Sequence, residues 1–159
     1  MFSVFSHEYY MKQALKEAQK AALLDEIPVG AVIICNQKII ARAHNWTEHL
    51  TDVTAHAEIL AITAASKHLG NKYLQQCSLY VTLEPCVMCF GAMIHARIER
   101  IVFGAPDPKT GVCGSCMNLN EESFFNHKIS ITGGVLKNES SELLRLFFKS
   151  KRDIQNLTS

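Results

Sequence analysis

Four side chains in this 159-residue sequence could do chemistry together. His56 and Glu58 lie in the run Thr54-Ala-His-Ala-Glu58, and Cys86 and Cys89 in Glu84-Pro-Cys-Val-Met-Cys89. Imidazole and thiolate are zinc ligands by type, and a catalytic zinc keeps one position open for water. His56, Cys86 and Cys89 would fill three places. Glu58, two residues from the first ligand, would then serve the water without binding the metal. A Lewis acid brings the pKa of water down to about 7, and a positioned carboxyl can move its protons. Each half alone also has a plainer reading. Cys-x-x-Cys could be a redox pair or half of a structural zinc site, and Glu58 could be a solvated acid at a helix start. It is the conjunction of the two halves that favours a catalytic metal.

The elements that must hold these residues can be read from periodicity. Met11, Ala14, Leu15, Ala18, Ala21 and Ala22 recur at three- and four-residue steps, which predicts an amphipathic helix from Glu8 to Leu24. Val29 to Ile34 is short, apolar and β-branched and reads as a buried strand, and Asn36-Gln37-Lys38 turns into a second strand, Ile39 to Ala43. A polar loop from Asn45 to Asp52 leads to a helix over about Thr54 to His68. Leu79 to Leu83 is a third strand. Pro85 ends it and suits the first turn of a helix reaching about His95, where its missing N–H costs nothing. Arg100 to Phe103 is a fourth strand, followed by a long loop from Gly104 to Leu119. A short strand, Ile129 to Thr132, precedes a last helix, about Glu139 to Lys151. Such alternation implies an α/β sandwich with helices on both sheet faces. Both halves of the motif fall at helix beginnings, whose partial positive charge helps ionise thiols.

Composition sets limits. A hydrophobic fraction of 48% and a charged fraction of 19% suit a globular chain, and its length suits one domain, 1–159. The formal charge of +1 gives little field for attracting nucleic acid, so such a partner would need a local patch. Met1 to Tyr10 shows no basic and apolar signal regions, and no apolar run reaches bilayer length, so a cytoplasmic protein without membrane attachment is expected. The six cysteines would then be reduced, and more apt for metal or redox chemistry than for disulfides.

The His-x-Glu and Pro-Cys-x-x-Cys pair resembles the signature of zinc-dependent nucleobase deaminases. The run from Leu79 to Ile98, with Ile27-Pro-Val-Gly-Ala-Val32 and Phe103-Gly-Ala-Pro-Asp-Pro-Lys-Thr-Gly111, closely resembles bacterial tRNA adenosine deaminases. The similarity extends from Ser6-His-Glu-Tyr9 to Phe147-Phe148. It implies a cytidine-deaminase-like fold, a three-layer α/β/α sandwich around a five-stranded mixed sheet, assembled as a homodimer with one Zn2+ per subunit. It implies hydrolytic deamination of the wobble adenosine of a tRNA anticodon stem-loop to inosine, with Glu58 as proton shuttle. By the same resemblance, Asn45 and the backbone around Ala57 hold the flipped base between apolar walls of Ile27, Val29 and Leu83. Asp107 and Lys109 meet the sugar and neighbouring nucleotides, and Phe147, Phe148, Lys151 and Arg152 contact the anticodon loop. An anticodon base is already unpaired, so extruding it costs less than breaking a duplex.

Simpler roles stand beside these. Asp107 between two prolines could be turn chemistry, and Asn45 could organise the loop after its strand. Phe147 and Phe148 sit among Leu143, Leu144 and Leu146, which places at least one of the two in the core. Lys151 and Arg152 could be a solvated helix end. The second pair, Cys113-Gly-Ser-Cys116, departs from the family pattern. With Cys86 and Cys89 it could make a four-cysteine structural site in a nucleic-acid-binding module without catalysis. The separation of the pairs exceeds the usual spacing, and His56 and Glu58 would go unexplained. Among enzymes, a guanine or other free-nucleobase or nucleoside deaminase shares the metal motif.

Overall fold

A computed structural model describes residues 5–159, so the expectation for the first four residues lies outside the described part. The elements follow in the order α1 (His7–Leu23), β1 (Gly30–Cys35), β2 (Lys38–His44), α2 (Thr47–Leu50), α3 (Ala57–Leu69), β3 (Cys77–Leu83), α4 (Val87–His95), β4 (Arg100–Ala105), a 3-10 turn (Leu119–Glu121), β5 (Ser130–Thr132) and α5 (Lys137–Thr158). The strands form one mixed sheet in the order β2-β1-β3-β4-β5. β1 is antiparallel to both β2 and β3, while β3, β4 and β5 run parallel. This is the expected five-stranded α/β/α arrangement.

Side-chain alternation along the strands builds a core on each face. Ala31, Ile33, Leu79, Val81 and Ile101 join Ala57, Ala61 and Ala65 of α3 and Phe90 and Met93 of α4. The intervening Val32, Ile34, Tyr80 and Val102 meet Tyr10, Met11 and Ala14 of α1. Close approach is written into two glycines. A Cβ on Gly30 would stand 2.1 Å from the Ala14 carbonyl oxygen, so α1 lies directly on β1. A Cβ on Gly104 would stand 2.5 Å from Ser140 Oγ, which seats α5 on β4 beside it.

Differences from the sequence reading cluster where the site is built. The loop after β2 contains the single turn α2. α3 begins at Ala57 and not at Thr54, with His56 as its N-cap. Pro85 precedes the helix instead of lying in its first turn, and Cys86 is the N-cap of α4. The last helix is longer than its apolar pattern suggests, at 22 residues. At about 1.5 Å per residue it is longer than any strand of the sheet. Ser140 is its one buried residue. Neither phenylalanine is therefore in the core: Phe147 is half-buried and Phe148 is 42% exposed. Among the described residues no helix is long and apolar enough to cross a membrane.

Candidate active site

Three segments converge at the carboxyl end of β3. That is where open α/β sheets bind ligands. α3 and α4 both begin there, which brings the two halves of the sequence motif together across about 30 residues of chain. His56 Nδ1 lies 3.8 Å from Cys86 Sγ and 3.5 Å from Cys89 Sγ. The ligand atoms of all three residues lie within 4.8 Å of one another. Zinc bonds of about 2.3 Å to sulfur and about 2.0 Å to nitrogen, at tetrahedral angles, place nitrogen and sulfur about 3.5 Å apart. The triad therefore has the donors and the spacing of a tetrahedral zinc site with one corner open.

Glu58 stands outside that cluster, in the first turn of α3, and is 4% exposed. Burial pushes its carboxyl up to about 7, against the lowering pull of its own backbone amide and of His56. A carboxyl poised near neutrality can both take and give a proton. The sulfurs differ from each other. The hydrogen bond from Cys89 holds the Cys86 thiol down at about 4, with His56 adding to the effect against burial. Cys89, the more buried donor, is shifted upward by its bond to Cys86 and by burial. The bond to Cys86 raises His56, with burial opposing. Negative charge is thus collected on Cys86 next to a protonatable ring, and a divalent cation placed between them would draw off the remaining thiol proton as well.

Above the triad lies a cleft of about 160 Å³. Its lining includes the expected Ile27, Val29, Asn45, Leu83 and Asp107 together with His56, Glu58 and Cys86. Asn45 Oδ1 accepts the Ala57 backbone N–H at 2.9 Å, which supplies the cap that His56, with no side-chain capping bond, does not make. The Ala57 amide is therefore committed to Asn45, and the Asn45 amide nitrogen is the group left to meet a ligand. Asp107 is a turn residue as well as a wall. Its Oδ1 accepts the Lys109 N–H at 3.0 Å and the Thr110 N–H at 3.2 Å, and its Oδ2 the Thr110 hydroxyl at 2.7 Å. Lys109 is exposed and outside the cleft lining.

The α5 residues are set apart from this cleft. Phe147 and Lys151 line a second hollow of about 310 Å³ with Thr47, Glu48 and His49, and Ile27 borders both. Lys151 Nζ lies 2.5 Å from Asp25 Oδ2 and 5.5 Å from the Phe147 ring centre. Phe148 and Arg152 are exposed and belong to neither lining. The four-cysteine alternative does not assemble. Among the described residues the grouped ligands are His56, Cys86 and Cys89, while Cys113 is buried and Cys116 exposed.

Sequence reasoning missed three residues. Thr110 lines the cleft, and Glu84 lines it as a buried acid that gathers the loop after β4. Glu26 is fully buried and accepts the His49 N–H at 2.8 Å, the Glu48 N–H at 3.3 Å and the Thr47 hydroxyl at 3.4 Å, tying α2 down beside Ile27. Burial works against the Glu26 charge, but the bonds from His49 and Glu48 outweigh it and hold the carboxyl below its usual value. The only sequence signal for either acid was a charge inside an apolar neighbourhood.

A family profile of MafB19-like deaminases matches residues 5–152. The tRNA-specific adenosine deaminase of Bacillus subtilis (strain 168) is 50% identical over 145 residues, covering 91% of this chain and 90% of its own. That of Aquifex aeolicus (strain VF5) is 48% identical over 146 residues, covering 92% and 96%. Among solved structures, one from work on A-to-I editing by tRNA:A34 deaminases superposes with a TM-score of 0.83 at 43% identity, covering 86% of this chain and 99% of that one. With its His-Cys-Cys cluster and buried glutamate under one cleft, this chain belongs to the tRNA-specific adenosine deaminase family.

Proposed function

We propose that this protein is a hydrolytic deaminase that converts the wobble adenosine of a tRNA anticodon loop to inosine, releasing ammonia. The observation that carries the proposal is the buried, protonatable Glu58 beside a three-ligand cluster at the floor of a base-sized cleft. His56, Cys86 and Cys89 would hold one Zn2+ per subunit, and the ion supplies the Lewis acidity that makes water nucleophilic at neutral pH. Glu58 takes a proton from the attacking water and delivers it to the ring nitrogen next to the attacked carbon. It then carries the remaining proton, from the hydroxyl now on that carbon, to the departing amine as the C–N bond breaks and the carbonyl forms, so that water and adenosine become inosine and ammonia.

Asn45 orients the flipped base by donating from its side-chain amide, and Ile27, Val29 and Leu83 exclude water around it. Asp107 and Lys109 border the exit of the cleft toward the sugar. Phe147 and Lys151, in the adjoining hollow, with Phe148 and Arg152 beyond it, face the rest of the anticodon loop through stacking and charge. The family resemblance supports a single deaminase domain over the whole chain, a homodimer and a cytoplasmic place of action. The test is to incubate the protein separately with an anticodon stem-loop bearing wobble adenosine and with free guanine, cytidine and adenosine. Inosine and ammonia are expected from the RNA alone. Turnover of free guanine with inert RNA would overturn the assignment.

A further inference from the structure

Glu84 precedes the metal-binding turn, and its carboxylate is the most heavily bonded side chain at the cleft. It is 3% exposed. Oε1 accepts the Asp107 N–H at 3.3 Å and the Ser115 hydroxyl, while Oε2 accepts the N–H groups of Cys113 at 3.0 Å and Ser115 at 3.2 Å. A carboxylate offers about four lone-pair directions, and here four donors occupy them. Nothing is left over for a substrate, although Glu84 lines the cleft. Its chemistry is therefore spent on the chain itself. The loop between β4 and the 3-10 turn has little regular structure of its own and is drawn onto this one side chain. Two main-chain bonds run alongside, from Glu84 N to Ala105 O at 2.8 Å and from Val112 N to Pro85 O at 3.0 Å. Gly111 fits the same socket: a Cβ there would stand 2.3 Å from Glu84 Oε2 and 2.6 Å from the Asp107 carbonyl oxygen.

We infer that Glu84 is a positioning residue for substrate: it holds the 107–115 loop against the metal-binding turn, so that Asp107 and Thr110 stand as one wall of the cleft. This rests on the deaminase reading of the cleft. Every contact to Glu84 is a donation, so an amide in its place cannot reproduce them. In Glu84→Gln the Ser115 hydroxyl can turn to accept from the new NH2, but the Asp107 N–H loses its acceptor.

The experiment measures three things on Glu84→Gln: zinc content, kcat and KM on the wobble-adenosine stem-loop, and amide hydrogen exchange. Zinc content at the wild-type level, a rise in KM of about tenfold with kcat little changed, and exchange at least about tenfold faster at Asp107 are expected. An unchanged KM would overturn the proposal. So would unaltered exchange, or a large loss of kcat at constant KM, which would put Glu84 in the chemistry. Loss of zinc would tie it to the metal turn and overturn the proposal equally. Ser115→Ala, which removes one donor and leaves the carboxylate, is the gentler variant should Glu84→Gln not fold. It should speed exchange in the same loop to a smaller degree, and unaltered exchange there would count against the inference. If the wild-type protein leaves the stem-loop untouched, the functional reading fails while hydrogen exchange still decides the role of Glu84.

Discussion

On the proposed function, Asn45 has two jobs at the two ends of one amide, and substitution can separate them. Its oxygen accepts the N–H of Ala57, which is fully buried at the start of α3. Asn45→Ala strands that N–H, and leaving a buried donor unsatisfied costs about 1–3 kcal/mol. For a chain of this size, that is a fall in Tm on the order of 2–12 °C. Asn45→Asp keeps an acceptor for Ala57, and a carboxylate is favoured at a helix N-terminus. Its stability should therefore stay close to that of the wild type. What it lacks is the N–H donor facing the cleft. One lost hydrogen bond to a buried base lowers kcat/KM about 10- to 100-fold. The assay pairs thermal melts with single-turnover deamination of the stem-loop for both variants. The expected result is that Asn45→Ala loses stability and activity while Asn45→Asp loses activity alone. An Asn45→Asp protein that melts as low as Asn45→Ala, or that deaminates at the wild-type rate, would refute the division of roles.

Further outcomes follow from the same geometry. Glu58→Ala should keep its zinc and lose about 10²–10⁴-fold in kcat, whereas Cys86→Ala should lose metal and activity together; metal analysis beside kinetics checks both. Glu26 has its folded pKa below the unfolded value, so its contribution is present above the ordinary carboxylate range and lost as pH falls through the folded value. Urea unfolding should accordingly show Glu26→Gln less stable than wild type at neutral pH, with the gap closing in acid. A gap that widens on acidification would contradict the sign.

What was legible in the sequence, and what was not, divides along the range of the interactions. The small-residue stripe of α1 records which side of that helix faces the sheet, whereas β1 is apolar throughout and only the structure separates Ile33 and Val32 into opposite cores. That His56, Cys86 and Cys89 come together was legible because each half of the motif follows or precedes a readable element, and two helix starts meet at one strand end. α2 was invisible because a four-residue turn has no periodicity, and it is held from outside by Glu26. Glu84 was hidden for the same reason, as its partners lie 23 to 31 residues away. The apolar positions Leu143, Leu144, Leu146, Phe147 and Phe148 misled, because side-chain type alone does not say which of them meet the core, and Ser140 is the one buried residue of α5. Helix starts were set too early at both halves of the motif. His56 and Cys86 act as extended N-caps, a backbone state that residue type alone does not mark.

The proposed chemistry depends on a metal ion held by His56, Cys86 and Cys89. The most direct measurement is deamination of the wobble-adenosine stem-loop by protein stripped of metal, verified by elemental analysis, and then titrated with zinc. Activity absent from the stripped protein and restored in full at one zinc per chain is the predicted result. Undiminished activity in verified metal-free protein would contradict it.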